Sequence, residues 1–244
     1  MDGSSERFFE LWVFLSASPL LWLTVTIGVF LAAQRVAALA RHHPAVNPVL
    51  LSIVAIVVVL HLTGVDYRSY FAGAQFVHFA LGPATVALAV SLFRNRRLVR
   101  QQALPIAAAL LVGAPVAFLS VVLLAKLFGL SPGIVAALAP KSVTVSIALG
   151  IAGQIKADPG LTAVFAIATG ITGAILVTPL MNALKIRDYA ARGFSAGLAS
   201  HGIGTARAFQ VDDAAGAFAG LAMALNAVLT ALLAPALLGL LLAP

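Results

Sequence analysis

Ala139-Pro140-Lys141-Ser142-Val143-Thr144-Val145-Ser146 sets a proline, a lysine and three hydroxyls inside an apolar stretch covering residues 134–155. In lipid a central lysine costs about 2.5 kcal/mol or more unless a partner or a water-filled cavity receives it. The proline also frees a backbone carbonyl that lipid cannot satisfy. Two other apolar segments are interrupted in a similar way, by Leu81-Gly82-Pro83-Ala84-Thr85 and by Ser200-His201-Gly202-Ile203-Gly204-Thr205. Helices broken at such places expose backbone N–H groups and a positive dipole end, which suit an anionic group. Glycine lets a ligand approach the backbone, and serine or threonine supplies a directed hydroxyl. The candidate binding set is Gly82, Pro83, Thr85, Pro140, Lys141, Ser142, Thr144, Ser146, His201, Gly202, Gly204 and Thr205. Lys141 would give a point charge to a carboxylate, with the hydroxyls reading its oxygens. No acidic residue lies in the core of an apolar segment, so a carboxylate cage for a cation is not expected.

Each of these residues has a plainer role to weigh against that one. Lys141 could snorkel to an interface from a shallow hairpin. His201 could be a neutral histidine hydrogen-bonded across helices, or could take the proton of a symport cycle. His61 and His78 fall near the ends of segments and read as interfacial. The glycines of 193–204 could serve close helix packing, and the hydroxyls could bond to carbonyls one turn back. Catalysis is not expected, because paired carboxylates, His-x-x-x-His and nucleophile-elbow spacings are all missing. With no cysteine in the chain, disulfides and thiolate metal sites are excluded, and no metal or other cofactor is called for.

The elements that must position these groups are membrane helices. The chain is 61% hydrophobic and 9% charged, with a mean hydropathy of +1.06. A soluble domain carries about 25% charged residues. The basic residues lie between apolar segments, as topology signals do, so a nucleic-acid partner is not expected. Period-2 alternation is lacking, which argues against a β-barrel. Residues 1–18, with Phe8, Phe9, Trp12 and Phe14, suit a short interfacial segment. Residues 19–244 then form one transmembrane domain of about eight apolar segments: 19–39, 47–62, 71–93, 103–128, 134–155, 161–184, 193–208 and 214–242. The fold class expected is an all-α polytopic membrane protein.

The positive-inside rule puts the basic loops 35–43 and 94–100 in the cytoplasm and the N-terminus outside. If 134–155 crossed once, Lys185, Arg187 and Arg192 would face outward, against the same rule. A re-entrant hairpin broken near Pro140-Lys141 removes the conflict and leaves the C-terminus inside. Gly-x-x-Thr recurs at 82–85 and 202–205, an offset of 120, in segments that would then run in opposite directions. That is the layout of an inverted repeat of discontinuous helices. Leu81-Gly-Pro-Ala-Thr-Val also matches Leu138-Ala-Pro-Lys-Ser-Val at an offset of 57, and the letters do not choose between the two alignments.

The chain resembles the LrgB/CidB family of bacterial membrane proteins. The resemblance rests on Leu81-Gly-Pro-Ala-Thr-Val-Ala-Leu-Ala-Val, Pro140-Lys-Ser-Val-Thr, Thr169-Gly-Ile-Thr-Gly-Ala, Ala191-Arg-Gly, Ser200-His-Gly-Ile-Gly-Thr-Ala-Arg-Ala and Gly220-Leu-Ala-Met-Ala-Leu-Asn. Val145-Ser146 stands where Thr-Pro is expected, and Ser91 where proline is. The resemblance implies a multi-pass protein of the bacterial cytoplasmic membrane, in one of two roles. The first is a carrier of small monocarboxylates of the glycolate, glycerate, lactate or pyruvate kind, with a proton or sodium ion as coupling ion and a dimeric state by analogy. The second is a holin-like regulator of murein hydrolase activity and lysis, acting with an LrgA/CidA-type partner.

Overall fold

A computed structural model describes residues 18–41, 43, 45–80, 83, 86, 87, 90 and 93–241, with the backbone alone for 78 and 239–241. The expected interfacial segment of residues 1–18 lies outside the described residues apart from Ser18. So do most of residues 81–92. The chain forms two compact units, meeting in sequence at Ala87 and Leu88.

In the first unit, α1 (Pro19–Leu39), α2 (Pro48–Thr63) and α3 (Tyr67–Phe79) follow one another closely. Local chemistry sets their ends. Pro19 and Pro48 open their helices, where the missing N–H costs nothing. Asn47 accepts from the N–H groups of Val49 and Leu50 at 2.9 and 3.2 Å. Gly64 ends α2 in the left-handed region at φ +66°. Both α2 and α3 pack on α1. There Gly73 lies so close to Trp22 and Leu23 that a Cβ would sit 2.8 Å from each. The Trp22 ring is buried edge-on to Tyr70, centroids 5.9 Å apart.

The second unit holds α4 (Arg96–Gln101), α5 (Ala103–Leu127), α6 (Pro132–Leu138), α7 (Val145–Gln154), α8 (Pro159–Ala183), α9 (Tyr189–Val211) and α10 (Asp213–Leu241). Together with α1, helices α5, α8 and α10 are long and apolar enough to cross a membrane. Leu104, Leu111, Val116, Leu123, Val164 and Leu232 are among the large apolar side chains left exposed on them, as lipid contact requires. Aspartates cap the starts of α8, α9 and α10. Asp158 accepts from Leu161 N–H at 2.6 Å, Asp188 from Ala191 at 2.7 Å, and Asp212 from Ala214 and Ala215 at 2.8 and 3.1 Å. These carboxylates stabilise helix N-termini.

The segment 134–155 is two short helices, α6 and α7, separated by residues 139–144. Ala136 and Ala137 share a buried cluster with Ala152 and Ala157, against Leu161 and Phe165 of α8. A straight broken helix would hold Ala137 and Ala152 more than about 20 Å apart at 1.5 Å per residue. The chain therefore doubles back through 139–144.

Helix α9 is likewise not straight. Ser200 (φ −131°, ψ 16°) and His201 (φ 42°, ψ −134°) interrupt it. Before the break, a Cβ on Gly193 would meet Ala215 and one on Gly197 would meet Ala219, each within 2.7 Å of Cα. That arm runs parallel to α10. After the break the order reverses, with Thr205 beside Met223 and Phe209 beside Gly216. A Cβ on Gly204 would lie 2.5 Å from the Ala196 carbonyl oxygen, eight residues earlier, so the two arms pack on each other. Arg192 ties the base of the first arm to α8, donating to Thr178 O at 3.3 Å and Asn182 Oδ1 at 2.6 Å. The sequence reading of 193–208 as a segment running from one side to the other misses this reversal, which comes from two backbone torsions at Ser200-His201.

Candidate functional site

The two breaks meet. Each leaves carbonyls without a helical partner, and buried carbonyls need donors. One side chain supplies two of them. Asn226 of α10 is 1% exposed, and its Nδ2 donates to Ser142 O at 3.2 Å and to Leu198 O at 3.1 Å. Thr230, one turn on, donates its hydroxyl to Asn226 Oδ1 at 3.3 Å. That bond fixes which way the amide faces.

His201 is buried at the turn of α9. Its Nε2 lies 2.9 Å from Ala166 O of α8. A carbonyl can only accept, so Nε2 carries a proton, and in the neutral ring Nδ1 is an acceptor. Two glycines of α8 make room for this turn. A Cβ on Gly170 would be 2.7 Å from His201 Cε1, and one on Gly173 would be 2.7 Å from Ser200 Cβ. Lys141 is half-buried, its Nζ donating to Ser142 Oγ at 3.1 Å. A lysine, a hydroxyl and an imidazole thus lie at two breaks that one buried primary amide joins. Among the described residues no three His, Asp or Glu side chains gather as a metal site.

The residues expected from sequence divide as follows. Pro140, Lys141 and Ser142 lie at the first turn, and His201 at the second; Asn226 links the two. Gly202 follows the second turn, half-buried near Met223 Sδ at 3.8 Å for an added Cβ. Thr205 is buried and donates to His201 O at 2.8 Å, so its hydroxyl serves its own arm. Gly204 is where the two arms of α9 touch. Thr144 precedes α7 half-buried, without a side-chain cap bond, and Ser146 is exposed. Gly82 and Thr85 lie outside the described residues; Pro83 is helical and exposed. The sequence reading did not single out Asn226, Thr230, Gly170 or Gly173. A signal was present for each: Gly170, Gly173 and Asn226 lie within the motifs that carry the family resemblance, and Asn226 and Thr230 are the only polar side chains between 214 and 242, one turn apart. A separate cleft of about 280 Å³, lined by Ile106, Asp188, Phe194, Ser195 and Phe218 among others, contains none of the expected site residues.

Comparison with known proteins places the chain in a family. The holin-like protein CidB of Staphylococcus epidermidis (strain ATCC 12228) is 30% identical over 218 residues, 89% of this chain and 95% of that protein. Its namesake in Staphylococcus aureus (strain N315) is 31% identical over 219 residues, 90% of this chain and 95% of its own. The uncharacterized protein YwbG of Bacillus subtilis (strain 168) is 34% identical over 218 residues, covering 88% and 96% of the two chains. No solved structure matches. Residues 26–240 match the LrgB-like family, and the chain is a member of that family.

Proposed function

We propose that this LrgB-like membrane protein carries small monocarboxylates of the glycolate, glycerate, lactate or pyruvate kind across the cytoplasmic membrane, binding the carboxylate between the two turns. The single observation that carries this reading is that Asn226 joins the break holding Lys141 and Ser142 to the break holding His201. Depth supports it. Asn226 is near the middle of α10, about 20 Å from either end, and Ala166 to Gly173 span the middle of α8. A lysine held there, with no carboxylate near it in sequence, favours an anion.

In this reading α6 with α7, and the two arms of α9, are hairpins. Seven and ten residues reach about 10 and 15 Å, too short for a hydrocarbon core of about 30 Å. The first hairpin is joined to the start of α8 and the second to its end. If α8 crosses, they enter from opposite faces, and Arg94, Arg96, Arg97 and Arg100 fall on the same side as Lys185 and Arg187. The positive-inside rule is then satisfied. The α5–α6–α7 and α8–α9 groups each consist of a 25-residue helix and a hairpin, starting 56 positions apart. That favours the shorter of the two offsets noted in the sequence and an inverted repeat built on it. It also reverses α10, so the C-terminus would be outside rather than inside. Uptake of labelled glycolate or pyruvate into proteoliposomes tests the carrier. Unchanged uptake in both Lys141→Ala and His201→Ala would remove the site assignment.

A second reading is a holin-like regulator that works with an LrgA/CidA-type partner and carries no substrate. The holin-like names of the Staphylococcus relatives favour it over the carrier. It predicts co-purification with such a partner and no saturable flux in the purified protein.

A further inference from the structure

We propose that Asn226 is a positioning residue that clasps the two hairpin turns so that they move as one. The inference rests on the reading that both turns belong to the carrier's site. A primary amide has two donor hydrogens and an oxygen with two lone pairs. Asn226 commits both hydrogens, one to each turn, at Ser142 O and Leu198 O. Its oxygen is held by Thr230. The two carbonyls are 56 positions apart in the chain and belong to different hairpins. Neither can shift along the axis of α10 without breaking its bond to the amide that also holds the other turn. Asparagine in the middle of an apolar helix is a costly choice if its only task is packing. The two glycine contacts at Gly193 and Gly197 already seat the first arm of α9 on α10. The amide therefore adds a link between hairpins to a contact that helix packing has already made.

Asn226→Leu keeps the branching at Cγ, is somewhat larger, and removes both donors. Because the chain has no cysteine, two introduced cysteines label cleanly. Spin labels on Ile147→Cys in α7 and Ala199→Cys at the α9 turn, both exposed positions outside the binding set, report the separation of the hairpins in proteoliposomes. The expected result is one narrow distance distribution in the parent, and one about twofold broader or split in Asn226→Leu, at an unchanged oligomeric state on gel filtration. A merely structural asparagine would lower the melting temperature and leave the folded fraction with the parent's distribution, and that result overturns the clasp. Should Asn226→Leu fail to fold, Thr230→Val decides. It leaves both donors but frees the amide to rotate; partial broadening supports the clasp and an unchanged distribution overturns it. In the unlabelled protein, Asn226→Leu is expected to lower maximal pyruvate flux about tenfold with KM moved less than about threefold. If the parent shows no flux, the carrier reading fails while the distance distribution still decides the clasp.

Discussion

The side chain of Asn226 donates to the backbone carbonyl of Ser142, 84 positions earlier in the chain, in a buried setting. Ser142 is also the residue whose hydroxyl receives the Lys141 ammonium at 3.1 Å. Ser142 thus has two separable roles, one through its carbonyl and one through its hydroxyl.

Ser142→Ala separates them. It removes the hydroxyl and leaves the carbonyl to Asn226. The expected loss of stability is small, about 1 kcal/mol or less, read as a shift in thermal unfolding in detergent. Carboxylate affinity is expected to fall more than maximal flux, because Lys141 loses the contact that aims it. Flux kinetics in proteoliposomes distinguish the two effects.

Lys141→Met is predicted to abolish carboxylate uptake while the protein remains folded, since burying methionine in place of an ammonium removes a cost of about 2.5 kcal/mol or more. Thermal stability equal to or above the parent's, with uptake lost, is the expected pair of results. Lys141→Arg should retain part of the activity, since the charge stays but its shape changes.

Gly170→Ala tests how closely the α9 turn lies on α8. The added methyl would fall 2.7 Å from the His201 ring, so either the ring or the helix must shift. A cost of about 1–3 kcal/mol is expected, together with loss of uptake. Gly150→Ala is the matched control, because a Cβ there meets nothing within 4 Å. It should be neutral or stabilising by up to about 1 kcal/mol, alanine being the better helix former.

Gly197→Leu should do more damage than either, because the backbone of Ala219 occupies the space. A backbone cannot swing aside as a side chain can. Loss of folded protein on gel filtration is expected, whereas Gly153→Leu, with nothing near its Cβ, should be tolerated.

The first turn was legible in the sequence for a simple reason. A proline and a lysine in an apolar run each carry a cost that a straight helix in lipid cannot meet, so Pro140-Lys141 announced a break. The second turn was legible only as a place. Its glycines could serve packing or flexibility equally, and the direction taken after His201 depends on torsions that no residue type dictates. Histidine at φ 42°, ψ −134° lies outside the left-handed helical region, in a part of the map that glycine enters far more readily. Thr205 was read as a ligand hydroxyl, but it bonds to a carbonyl one turn back, the plainer of the two roles weighed for it. Asn226 was hidden differently. Its partners are backbone carbonyls, which any residue has, so no complementary side chain marked the pairing. Family membership was readable from short motifs in order, and one of those motifs ends on Asn226.

The account depends most on the two hairpins entering from opposite faces of the membrane. Single cysteines at Lys156, Arg187 and Asp213, all exposed, test it in intact cells with a membrane-impermeant maleimide. Labelling from outside is predicted at 156, with 187 and 213 reached only after the membrane is opened. Residues 187 and 213 labelled from opposite sides would mean that α9 crosses the membrane, and would contradict the second hairpin and the site built on it.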